Sequence, residues 1–408
     1  MIKNKSTKTN ESNNLLYGLS LGHGVKHFGQ GALLLMAPSL KNTLSLTEVA
    51  LGGIFTAQSI TSGIANIPAG LLSDIYRKRI AWILFVSMII VGAGYILLGL
   101  SSWYWMCVTA TAMLGFGTSL WHAPAFGTLA ARYPDKKGFA LAMHLSGAQI
   151  GNTLSPIIIG FLLGGTFLGW YFGGWDWKFI SIGLSVPMII TAILVLVFFK
   201  SAGAEVKKNP SFEEYIKGFK QIITNPQVLG MIFLGACRGA IHTAFQLFLV
   251  LHMKENLEYS NFNVGLHIAL ITLAGIVSTP IMGNISDKIG RKPVISFSMG
   301  MMSIIIFMFV FFDSGFYMTL LVGILGIFFF SVMPTITAAA MDQVPKGIEG
   351  SGTALMFSGL AIIGSVSPLA AGAIYERYFF EGVVYYSGTI ALIATLLSLI
   401  MPMKKNIS

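Results

Sequence analysis

Stretches of about 20 predominantly apolar residues, the length that spans roughly 30 Å of hydrocarbon, recur twelve times along this chain. They fall near 15–40, 48–72, 80–100, 103–130, 138–164, 177–199, 227–252, 262–285, 293–312, 316–341, 350–374 and 383–402. Only 10% of the 408 residues are charged, against roughly a quarter in a soluble domain, and the mean hydropathy is +0.75. Lipid is therefore the expected solvent, and the predicted fold is an all-α, multi-pass membrane protein with twelve transmembrane helices.

The first fourteen residues are polar, and no small-residue cleavage site ends the first apolar run, so that run is expected to stay as a helix rather than be removed as a signal peptide. The formal charge of +10 does not point to nucleic acid, because of where the cations sit. With both termini cytoplasmic, twenty of the 26 Lys and Arg fall in the termini and cytoplasmic loops, and only Lys41, Lys178, Lys254 and Arg377 lie on the other side. That bias is the positive-inside pattern of an inner, cytoplasmic membrane. Cys107 and Cys237 both fall inside spans, where they are expected to pack as small apolar residues; no disulfide, metal site or cofactor is read from the sequence.

The chain is built twice. "GLLSDIYRKR" from Gly70 recurs as "GNISDKIGRK" from Gly283. At nearly the same offset, Ser155-Pro156 recurs as Ser367-Pro368, and Pro124 matches Pro334. The predicted layout is a cytoplasmic tail (1–14), a six-helix bundle (15–200), a cytoplasmic linker (201–226), a second, pseudo-symmetric six-helix bundle (227–403) and a short tail (404–408). Within the linker, "SFEEYIKGFKQII" reads equally as a surface amphipathic helix or a charged connection.

Two cations lie inside spans, Lys26 in the first and Arg238 in the seventh, separated by the offset of the Ser-Pro repeat and so at equivalent depths of the two halves. A Lys or Arg at the bilayer centre costs about 2.5 to 3.5 kcal/mol on insertion scales and normally faces a cavity. Every Asp and Glu lies in a loop or near a helix end, so no carboxylate is placed to neutralise either cation. The counter-charge is then expected from an anion supplied from outside. Two cations about 4 Å from it would each contribute of order 4 kcal/mol at an effective dielectric near 20, before desolvation. His23, Lys26, His27 and Gln30 share one helical stripe, and Arg238, His242 and Gln246 share another. His122 and His144 in spans 4 and 5 could extend this lining or bond between helices.

Gly-x-x-x-Asp-x-x-[Gly]-Arg-Lys between spans 2 and 3, repeated between spans 8 and 9, resembles the cytoplasmic signature of the major facilitator superfamily. The resemblance covers the chain from about residue 15 to 403. It implies two six-helix halves rocking about a central site. Asp287, Arg291 and Lys292 match well in the second copy. The first has Ile75 and Arg77 where a basic residue and Gly are usual, leaving Arg77, Lys78 and Arg79 beside Asp74. These residues are expected to form a conformational lock, a carboxylate holding one bundle to a helix N-terminus of the other.

Within the superfamily, "LGHGVKHFGQG" and the stretch from Gly115 to Pro156 are similar to the fosmidomycin-resistance type, which implies export of an anionic phosphonate by proton antiport. Where that type carries Asn-Asp in span 1, this chain has Lys26 and His27. One cation in span 1 and one in span 7 also resembles the organophosphate/phosphate antiporters. The expectation is a secondary active transporter, not an enzyme, that moves a small organic anion: a phosphonate, phosphate ester, polycarboxylate or carboxylate-type siderophore. It is expected to work as a monomer, with a proton as coupling ion, carried by His where no acid is available. Symport and antiport both fit. The alternative is a broad-specificity proton-coupled drug efflux antiporter.

Overall fold

The computed structural model describes residues 5–133, 136–167, 169–199, 213, 220, 224–342 and 349–403. The connection 201–226, with its amphipathic segment, lies largely outside these. The N-terminal half comprises α1 (Lys5–Thr43), α2 (Glu48–Ile75), α3 (Ile80–Gly99), α4 (Tyr104–Arg132), α5 (Lys137–Leu163) and α6 (Trp177–Phe199). The C-terminal half comprises α7 (Pro226–Leu251), α8 (Asn261–Ile289), α9 (Arg291–Met308), α10 (Gly315–Met341), α11 (Glu349–Gly364) and α12 (Ser367–Ile400). Span 11 is α11 plus the start of α12, and the chain reverses at Phe379, whose φ of 53° breaks the helix, before span 12 follows.

Eight helices among the described residues are apolar enough to cross a membrane by hydropathy alone, with spans 11 and 12 counted as one. The others, α1, α2 and α4, are diluted by Gly, Ser, Thr, Gln and His on their inward faces. Polar residues at membrane depth are tolerated where they face protein rather than lipid. Between α5 and α6 a small hairpin was not anticipated, Gly165–Phe167 paired antiparallel with Trp170–Phe172. Aromatic and β-branched residues favour this pairing, and Gly169, at φ 84°, makes the turn.

The halves share matched contacts. Ser155 Oγ donates to the carbonyl of Phe28 at 2.5 Å, and Ser367 Oγ donates to that of Ala240 at 2.9 Å, with donor and acceptor both displaced by the repeat offset. Gly160 faces the carbonyl of Asn261 and Gly372 that of Glu48, while Gly52 faces the carbonyl of Pro368 and Gly265 that of Pro156. These four glycines build the two seams between the halves, α5 on α8 and α2 on α12. A Cβ at any of them would strike backbone, so only Gly permits the approach.

On the face opposite the termini, polar contacts join the halves. Lys41 Nζ bonds Glu255 at 2.8 Å, Glu376 accepts from the backbone N–H of Val49 at 3.0 Å, and Asn261 donates to the carbonyl of Leu163 at 2.9 Å. Cys107 and Cys237 are free and buried.

Candidate functional site

Lys26 lies on α1 fifteen residues from Lys41, about 22 Å at 1.5 Å per residue, which places it near mid-membrane. Its side chain is fully buried. The ammonium donates to His122 Nε2 on α4 at 2.7 Å and reaches the Thr118 carbonyl at 3.5 Å. Among the described residues it has no carboxylate partner. Around it, His23 Nδ1 donates to the backbone carbonyl of His144 on α5 at 3.0 Å. His27 Nδ1 bonds Asn152 Oδ1 at 3.2 Å, and the two Nε2 atoms of His23 and His27 stand 3.2 Å apart. The His144 ring stacks on that of His23 with centroids 4.1 Å apart.

Glycines make this convergence possible. Gly24 on α1 lies against Gly147 on α5, and Gly151 lies against the carbonyl of Gly24. The two backbones touch there, which brings side chains from α5 within reach of the α1 stripe.

In the other half, Arg238 Nε and Nη2 donate to the Phe329 carbonyl on α10 at 2.9 and 2.6 Å. The guanidinium carbon lies 5.5 Å from the Phe329 ring centre and 5.6 Å from that of Phe330. Thr118 and Phe329 fall at matching places in the two repeats, to within one position, so the two cations use corresponding carbonyls. One turn beyond each cation sits a buried polar atom without a hydrogen-bond partner among the described residues, Gln30 Oε1 and His242 Nε2. Gln30 and His242 are themselves repeat mates. Buried polar atoms are nearly always satisfied, and these two are open at matching places beside the two cations.

Of the residues expected from sequence, Lys26, His23, His27, His122 and His144 form one cluster, and Arg238 and His242 form another. Gln246 is buried a further turn along α7. His144 backs His23 rather than reaching Lys26. Phe357 of α11 stacks on His122 at 6.2 Å, bringing the C-terminal half against the N-terminal cluster. Phe329 and Phe330 were not anticipated: in "GIFFFSVMP" they do not stand out from the aromatic background of a membrane helix.

Of the charges expected to form a lock, the described contacts lie in the C-terminal half. Asp287 pairs with Arg291 one turn on, and Arg291 also reaches Asp342 at 3.5 Å and Ser286 at 2.7 Å, all within the C-terminal half. Lys292 flanks Arg291, Lys78 and Arg79 are exposed, and the side chains of Asp74 and Arg77 lie outside the described residues.

Twelve membrane-crossing helices in two repeats, with a polar cluster from each half at mid-depth, define a membrane transporter rather than an enzyme. The Major Facilitator Superfamily model matches residues 19–260 and 231–407, and the chain belongs to that superfamily. Its relatives include the fosmidomycin resistance protein of Escherichia coli K12, 23% identical over 71% of this chain and 69% of that protein. A multidrug resistance protein, MdtG, of Yersinia enterocolitica is 23% identical over 85% of this chain and 82% of its own length. The fold is shared with a bacterial homolog of the human lysosomal transporter Spinster, solved inward-facing and unoccupied, at a TM-score of 0.76 and 13% identity with 97% of both chains covered.

Proposed function

We propose that this transporter carries a small organic anion across the inner membrane by alternating access, with the anion bound between Lys26 and Arg238. The observation that carries this reading is the repeat-matched pair of buried cations, without carboxylate partners among the described residues, each next to an unpartnered polar atom. Arg238 is suited to planar carboxylate or phosphate groups and Lys26 to a point contact. Gln30, His242 and the His cluster complete the hydrogen bonds, with Gln246 further along α7. Both termini are placed on the cytoplasmic side, the protein acts as a monomer, and a proton is the coupling ion, carried by the His cluster. Asp74, Arg77, Lys78, Arg79, Asp287, Arg291 and Lys292 act on the cytoplasmic face in holding one conformation of the cycle.

The test is binding and liposome flux of anionic metabolites by wild type, Lys26→Gln and Arg238→Gln. Both variants should insert normally and lose anion binding; unchanged affinity in either overturns the proposal. A broad-specificity drug exporter is the second reading, favoured by the likeness to a multidrug resistance protein. It predicts transport of lipophilic dyes that is insensitive to Lys26→Gln.

A further inference from the structure

His23 and His27 face each other through Nε2 at 3.2 Å. A carbonyl only accepts, so His23 carries its proton on Nδ1, facing His144 O, and presents a lone pair at Nε2. His27 Nδ1 stands 3.2 Å from Oδ1 of the Asn152 amide. With Asn152 accepting through Oδ1, the two Nε2 atoms, 3.2 Å apart, both offer lone pairs to an electron-pair acceptor between them, a metal ion or a proton. With metal–nitrogen bonds of about 2.0–2.1 Å, two imidazoles on one tetrahedral ion stand about 3.3 Å apart. His23, His27 and His122 place one ring nitrogen each within 4.8 Å of one another. The outward N–H of both His23 and His27 is held by an oxygen, as is usual for ligating histidines. Imidazole ligands suit zinc, copper and nickel.

A bare dication does not fit. The cluster contains no carboxylate, and the Lys26 ammonium stands against His122 Nε2. The metal must therefore arrive with negative charge of its own. We propose that the cargo is a negatively charged chelate of a divalent transition metal, in which His23, His27 and His122 fill coordination positions that the chelator leaves open. Lys26 moves from His122 onto a carboxylate of the chelator, which frees the third imidazole, while Arg238 takes a second carboxylate from the other half. This names a substrate class for the same site and rests on the reading that the site takes an anion. No metal site was expected from the sequence, where His23 and His27 lie one turn apart on α1 but the third ligand, His122, comes from α4.

The experiment uses tag-free purified protein, titrated with nitrilotriacetate alone, with its Cu²⁺ chelate, and with the Cu²⁺ chelate of ethylenediaminetetraacetate, which leaves no open position. The Cu²⁺–nitrilotriacetate chelate should bind at least about tenfold more tightly than the metal-free anion, and its electron paramagnetic resonance spectrum should gain couplings from imidazole nitrogens. The saturated chelate should gain neither. His23→Gln and His27→Gln should remove the metal's advantage, bringing the ratio of chelate to free-anion affinity down to about one. Equal affinity for free and chelated anion, without nitrogen couplings in the wild type, overturns the inference while leaving the anion reading in place. Uptake of one proton with the free anion in that case would assign a shared proton to the His23–His27 gap instead. Free-anion binding that is indifferent to Lys26→Gln would overturn the anion reading itself.

Discussion

Lys41, at the end of α1, lies 2.8 Å from Glu255 of the other half and 2.8 Å from Glu48 of its own. One ammonium thus ties the halves together on the face away from the termini. Its side chain and that of Glu255 are 14% and 23% exposed, so the pair is only partly screened. Burial disfavours the ammonium's charge, but the two carboxylates outweigh it and raise the Lys41 pKa.

Breaking this tie should open that face. Lys41→Met or Glu255→Gln is expected to favour the open arrangement by about 1 kcal/mol, the upper end for a partly exposed pair, or roughly fivefold in population. Spin labels at Asn42 and Glu258 would report it as a longer distance distribution by double electron–electron resonance. An unchanged distribution in both variants would remove the ion pair from the closure.

The two serine bonds should act independently. Ser155→Ala removes a hydroxyl that donates to a facing helix, for a loss of about 1 kcal/mol; Ser367 also accepts from Tyr386 at 3.1 Å, so Ser367→Ala should cost more. Because the two bonds lie in different halves, the double variant should lose about the sum. Thermal unfolding in detergent, with the two single variants and the pair, checks both size and additivity.

Glycine substitutions should divide sharply by position. An added Cβ at Gly147 would run into the Ser20 carbonyl and one at Gly151 into the Gly24 carbonyl, whereas one at Gly183 meets nothing within 4 Å. Gly151→Ala is expected to cost about 1–3 kcal/mol through overpacking, and Gly183→Ala to be neutral or stabilising by up to about 1 kcal/mol. Melting temperatures of the purified variants distinguish them, and equal shifts would contradict the close helix approach.

Charge alone should not satisfy the C-terminal cluster. Arg238→Lys keeps a cation but cannot reproduce two bonds to the Phe329 carbonyl or the planar contact with Phe329 and Phe330. Anion affinity is expected to fall about tenfold, or about 1.4 kcal/mol, with Arg238→Gln falling further. Isothermal titration would separate this from a site in which any positive charge serves.

Much of the architecture was legible because it is written in local terms. Span length, charge asymmetry and a constant repeat offset are properties of the chain read in order, and they place twelve helices, two halves and an equivalent depth for Lys26 and Arg238. The Ser-Pro repeat even anticipated matched positions, which the structure turns into matched hydrogen bonds. The four glycines of the seams were less visible, since 46 glycines spread through the helices and only contact with a facing carbonyl distinguishes the necessary ones.

The sequence by itself determined that two cations sit at membrane depth with no acid to meet them, because lipid makes every such charge conspicuous. Only the tertiary structure decided what each one touches. Lys26 ends on an imidazole from α4 and Arg238 on a backbone carbonyl from α10, and two histidines one turn apart stand Nε2 to Nε2 at 3.2 Å. Helical period fixes which side chains share a face, but the rotation and crossing of neighbouring helices, set here by glycine contacts between α1 and α5, fix which faces meet. That register lies in no single stretch of residues, so the site came into view only once the helices were packed.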